Sequence, residues 1–106
     1  MRALGLILIV FLFGNMTCEE AGIDAPACVK TLIKTDPQPL EVWRYRFENQ
    51  TVYYVLNDCC DQFNSVYDTN CTLICHPSGG ITGGGDGNCP EFHNTVKDGV
   101  LVWKKN

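Results

Sequence analysis

Seven cysteines in a chain of 106 residues constrain its fold more than any other feature: Cys18, Cys28, Cys59, Cys60, Cys71, Cys75 and Cys89. A chain this short buries a limited share of its apolar surface, and small exported domains offset that shortfall with disulfides. An odd number requires that one cysteine stand apart. If Cys18 is lipidated or removed, then Cys28, Cys59, Cys60, Cys71, Cys75 and Cys89 form the disulfide set, with fifteen connectivities that sequence does not separate. A free or intermolecular thiol is the other solution. A ring between adjacent cysteines is strained, so Cys59-Cys60 reads as two separate disulfides tying one segment to two neighbours. There is no Cys-x-x-Cys spacing of the thioredoxin kind.

The start of the chain places these cysteines in an oxidising compartment. Arg2 precedes an apolar run from Leu4 to Phe13 that closes on Gly14, followed by Asn15-Met16-Thr17. Ten residues suit the core of a secretory signal, whereas a membrane span needs about 20. Residues 1–17 therefore read as a signal peptide, 18–25 as a linker and 26–106 as one disulfide-rich domain. No second run of that kind follows, so no membrane span is expected. Cys18 is the lipidation candidate, and a lipid on it would anchor the protein at the cell surface. Without the signal, 7 basic residues face 12 acidic ones, since only Arg2 is lost. Such a surface argues against nucleic acid and anionic membrane, both of which select basic patches.

Along the domain the hydrophobic period changes from helix to strand. Pro26, with Asp24 just ahead of it, signals a helix start, and Cys28, Val29, Leu32 and Ile33 recur at helical spacing. Asp36-Pro37-Gln38-Pro39 ends that helix. From Val42 the period is two: Trp43, Tyr45 and Phe47 alternate with Arg44 and Arg46. Glu48-Asn49-Gln50 reverses the chain into a second strand from Thr51 to Leu56, which completes a hairpin. A third strand near Ser65-Val66-Tyr67 turns through Asp68-Thr69-Asn70 into Thr72-Leu73-Ile74-Cys75. Val100-Leu101-Val102-Trp103 reads as an edge strand guarded by Lys104 and Lys105. Between Pro77 and Pro90 lie six glycines flanked by Cys75 and Cys89. A disulfide at each end would limit a loop that is otherwise costly to order.

Few residues suggest chemistry. His76 and His93 with Ser65 and Ser78 lack a nucleophile-elbow pattern, which argues against an enzyme. Cys75-His76 with His93, as zinc ligands, lack a recognised spacing, and so do Asp61, Asp68 and Asp86 as calcium ligands. No cofactor is expected. The glycine loop lacks the Lys-Ser/Thr ending of a phosphate-binding loop. Its side chains Ile81, Thr82 and Asp86 instead make a candidate recognition surface, with the aromatic face of Trp43, Tyr45 and Phe47 as the alternative. Asn49 and Asn70 open Asn-x-Thr tripeptides and are glycosylation candidates in a eukaryotic source.

Cys59-Cys60-Asp61-Gln62-Phe63-Asn64, Val66-Tyr67-Asp68, Ile74-Cys75, Pro77-Ser78-Gly79-Gly80-Ile81-Thr82-Gly83 and Gly85-Asp86-Gly87-Asn88-Cys89-Pro90 form one long combined motif. Through it the chain resembles an uncharacterised domain family of short exported proteins and lipoproteins, mostly bacterial. The resemblance runs from about Cys28 to Phe92 and includes Val52-Tyr53-Tyr54-Val55. It implies export and a disulfide fold and carries no activity.

The expected fold is small α+β and disulfide-rich, with one N-terminal helix on a short antiparallel sheet and a long glycine-rich loop. The expected function is non-catalytic recognition of an extracellular protein or glycan by a secreted or surface-attached domain. A secreted protease inhibitor is the first alternative, and a calcium-stabilised module or small enzyme the next. Sequencing of the exported protein should find its first residue between Asn15 and Gly22; an intact Met1 would contradict the signal peptide.

Overall fold

A computed structural model describes residues 23–58 and 62–106. The expected signal peptide, the lipidation candidate Cys18, and Cys59, Cys60 and Asp61 lie outside the described residues. The chain forms a helix α1 (Ala27–Thr35), strands β1 (Pro39–Phe47), β2 (Gln50–Asn57), β3 (Phe63–Tyr67) and β4 (Leu73–Gly79), a one-turn helix α2 (Phe92–Thr95) and strand β5 (Lys97–Lys104). The strands build one antiparallel sheet in the order β4-β3-β2-β1-β5.

Strand alternation sorts the apolar residues onto two faces. Val42, Tyr53 and Val55 point to one face and form a buried cluster with Val29 of α1, flanked by Leu32, Ile33 and Tyr67. α1 lies against this face because its apolar positions recur at helical spacing. Pro26 is its N-cap residue, and the Pro26 carbonyl accepts from Val29 and Lys30. Asp24 makes no cap; its carboxylate pairs with Arg44 of β1 at 3.1 Å, beside the helix. A disulfide joins Cys28 of α1 to Cys71, which lies between β3 and β4.

The opposite face is aromatic. Phe47, Val52, Tyr54 and Val66 form its core with Phe92 of α2, and Trp43 and Tyr45 pack at the margin. Phe92 is fully buried and meets the rings of Tyr45, Phe47 and Tyr54 at centroid distances of 5.9, 5.0 and 5.3 Å. These spacings fall in the range where tilted aromatic pairs add to area burial. On the aromatic face of Trp43, Tyr45 and Phe47, Phe92 from the segment after the glycine loop therefore covers Phe47 and meets Tyr45, while Trp43 stacks on Tyr45 and stays half-buried. Neither α2 nor the early start of β5 at Lys97 is foreseen by periodicity, because a four-residue helix has no period to display.

A second disulfide links Cys75 directly to Cys89. The loop is thus closed by one bond across its ends, where the sequence suggested a separate disulfide at each. Cys71, whose partner was open, pairs with Cys28. β4 also continues beyond Cys75 through Pro77 to Gly79. Proline fits there because β4 is an edge strand, where a missing N–H need not interrupt a ladder.

Phe92→Ala should destabilise the domain by about 3–5 kcal/mol, the usual cost of emptying a buried aromatic site. Denaturant unfolding measures this, and a shift within about 0.5 kcal/mol would show that the aromatic face stands without its cover.

Candidate functional site

Residues 79–88 fold back along the outer edge of β4. The amide of Gly80 donates to the carbonyl of Gln62 at 3.0 Å, and Gly85 donates to Gly79 at 3.0 Å. Gly83 donating to Gly80 at 3.1 Å closes a turn, and Gly79 donating to Gly83 at 3.1 Å completes a parallel bridge between Gly79 and Gly84. Gly85 lies so close to β4 that a Cβ there would come within 2.6 Å of the Pro77 carbonyl carbon and 2.8 Å of the Ser78 nitrogen. Its φ of +81° is also in the left-handed region, so glycine is required on both counts.

Asp86 supplies the clasp. Its amide donates to the His76 carbonyl at 2.9 Å, while its carboxylate accepts from the His76 amide at 3.2 Å. Both edge-facing backbone groups of His76 are thus satisfied by the loop rather than left open to another strand. The same carboxylate accepts from the Asn88 amide at 3.0 Å and from Asn88 Nδ2 at 3.2 Å. These hydrogen bonds, chiefly the Asn88 amide, hold the Asp86 carboxyl below its ordinary 3.8.

Of the three nominated recognition residues, only Ile81 projects freely. Its side chain is 92% exposed at the loop apex. The Thr82 hydroxyl accepts from Gly84 at 3.3 Å, and Asp86 belongs to the frame. Phe63, 41% exposed, stands beside Ile81, and the two line a shallow cleft of about 330 Å³ with Gly80, Thr82 and Gly85. Phe63 also stacks on the His76 ring at 4.6 Å. This apolar pair was not apparent in sequence, because Phe63 lies 18 positions before Ile81 and ahead of the strand expected near Ser65-Val66-Tyr67.

The residues considered for catalysis do not assemble into one centre. Ser65 Oγ and His76 Nδ1 lie 2.9 Å apart, but Ser65 is buried and Asp86 binds the backbone of His76 rather than its ring. Ser78 is engaged with Tyr54 at 2.6 Å and with Asn64 at 3.0 Å. Burial raises the Tyr54 hydroxyl above its ordinary 10.0, so it keeps its proton at that contact. His93 packs edge-on against Tyr54 at 5.6 Å. Within the zinc set, the Cys75 sulfur is bonded to Cys89. Within the calcium set, Asp68 accepts from the amides of Asn70 and Thr72 at 2.8 and 2.9 Å, closing a turn, and Asp61 is outside the described residues. Among the described residues no group of three or more His, Cys, Asp or Glu side chains is placed to hold a metal.

Asn49 and Asn70, the glycosylation candidates, are both exposed, the first at the β1–β2 hairpin and the second between β3 and β4. The hairpin borders a second and larger cleft, of about 570 Å³, at the end of the sheet away from Ile81. No helix among the described residues is long and apolar enough to cross a membrane.

Comparison with known families finds that residues 30–105 match the model of a Domain of unknown function (DUF6970). No curated protein and no solved structure matches the chain.

Lowering the pH should release the clasp. Because Asp86 has a depressed carboxyl, its contribution is present above the ordinary 3.8 and is lost as pH falls through the lower folded value. Hydrogen exchange should show the His76 and Asn88 amides losing protection in that acid range, and at neutral pH in Asp86→Ala. Unchanged protection in the variant would contradict the clasp.

Proposed function

The chain belongs to the family Domain of unknown function (DUF6970), and from that starting point we propose that it is an exported, non-catalytic recognition module whose contact residue is Ile81. The observation that carries this reading is the near-complete exposure of Ile81 on a loop held by the Cys75–Cys89 bond, the Asp86 clasp and the turns between them. Single exposed apolar residues are ordinary on protein surfaces. An apolar side chain on a pre-ordered loop is different, because binding through it loses little further conformational entropy.

The partner fits a protein better than a glycan. Ile81 offers apolar surface and no hydrogen-bonding group, and the neighbouring exposed side chain of Phe63 extends that surface. Export is supported by the apolar leader and by disulfides, which persist in oxidising compartments. The inhibitor alternative asks for an extended segment able to lie along a protease cleft. Residues 80–87 instead turn at Gly80–Gly83, bridge back to Gly79 and carry positive φ at Gly80, Gly83, Gly85 and Gly87.

Replacing Ile81 by Ser should leave stability within about 0.5 kcal/mol, as for other exposed positions. Binding of the labelled variant to the surface of source cells should fall about tenfold or more if Ile81 is a hot spot. Equal binding by a folded Ile81→Ser protein would move recognition away from the loop.

A further inference from the structure

The larger cleft carries a concentration of local conflicts that the fold does not require. It is lined by the β1–β2 hairpin, the start of β4, the Cys75–Cys89 link with the residues after it, and the connection from α2 to β5. Its volume of about 570 Å³ lies within the range of small-ligand sites. Four non-glycine residues among those described have positive φ, and three of them, Glu48, Asn49 and Asp98, line this cleft.

Glu48 and Asn49, at φ 52° and 65°, form the two-residue turn of the hairpin between Phe47 and Gln50. Such turns favour Asn-Gly because both central residues are left-handed, so glutamate at the first position is strained. Asp98, at φ 59°, sits where the β1–β5 register shifts. Neither Glu48 nor Asp98 makes a side-chain hydrogen bond or ion pair among the described residues. Arg46 and Lys97 oppose each other across β1 and β5, an arrangement of like charges that weakens strand pairing. Strained backbone and unfavourable charge pairs collect where function outweighs stability.

We infer that this cleft is a second binding site, independent of Ile81, for a short peptide segment with an apolar side chain between a basic and an acidic residue. The floor supplies the apolar contact through Ile74, Pro90 and the Cys89 side of the Cys75–Cys89 bond, the partly exposed apolar groups that line it. Glu48 and Asp98 are free to receive the ligand's cation, and Lys97 its anion, with Arg46, whose guanidinium donates to the Thr51 hydroxyl at 3.4 Å, beside it. A sugar is a poorer fit, because sugars favour an exposed aromatic face and Phe47 is only 5% exposed.

The test is an amide-shift titration of the folded domain with the capped tripeptide acetyl-Lys-Leu-Glu-amide. Saturable shifts are expected at the amides of residues 46–49, of Asn88, Cys89 and Glu91, and of residues 95–98, with a dissociation constant of about 1 mM or below. The Leu-to-Ser tripeptide should bind at least about fivefold more weakly. The double variant Glu48→Asn, Asp98→Asn keeps residues that tolerate left-handed backbone, so its melting temperature should equal or exceed that of the parent while peptide affinity falls about tenfold. The inference is overturned if no saturable shifts occur up to about 10 mM, or if the folded double variant binds as tightly as the parent. Shifts at the cleft with maltotriose but not with the peptide would overturn the peptide assignment.

Discussion

The Cys75–Cys89 bond is the constraint on which the rest of the arrangement depends. It returns the chain to β4 after an excursion of 14 residues, so that the segment starting at Pro90 can only leave from beside the aromatic face. Phe92 comes three residues after Cys89 and enters that face among Tyr45, Phe47 and Tyr54. The same bond forms part of the floor of the larger cleft. In chain-entropy terms a link of this span is worth about 3 kcal/mol, and one of the span of Cys28–Cys71 about 4 kcal/mol. A small domain has a total stability of about 5–15 kcal/mol. The two links are therefore comparable with the whole margin, which explains how so thin a core is sufficient.

The division of work between the two sheet faces has the same origin. α1 covers one face through Val29, Leu32 and Ile33 and is tethered by Cys28–Cys71. The other face is covered by a segment with almost no regular structure, which could not bury Phe92 reproducibly without its covalent tie. The glycine segment between β4 and that cover also shields the β4 edge, where both backbone groups of His76 are taken by Asp86. An exposed strand edge is a pairing hazard. Here the loop removes the hazard while leaving Ile81 in solvent.

The opposite edge is handled by different means. β5 departs from regular pairing with β1 at two places, and such irregularities twist an edge away from easy pairing. Lys104 is exposed near its end, as an edge guard should be. Lys105 instead folds inward, its ammonium donating to the Pro37 carbonyl at 3.2 Å and its amide to Leu40 at 2.8 Å. Lys105 thus fastens the residues after β5 to the start of β1 and to the connection that precedes it.

Sequence by itself determined the local elements, because each is encoded over a few neighbouring residues. Helical spacing of Val29, Leu32 and Ile33 marks α1, alternation of Trp43, Tyr45 and Phe47 marks β1, and Asp68 marks the turn into β4. The cysteine count likewise announced a small domain held by disulfides. Sequence did not determine which cysteine meets which, because pairing depends on distances across the fold rather than along the chain. Nor did it separate the roles of Ile81 and Asp86, five residues apart in one glycine-rich run. Only the tertiary structure sends Asp86 back to the β4 edge and leaves Ile81 in solvent. The larger cleft was invisible for the same reason, since Glu48, Asn88 and Asp98 come from three separate segments. Its strained positions show only in backbone angles, which depend on how the hairpin and the β5 irregularity are closed.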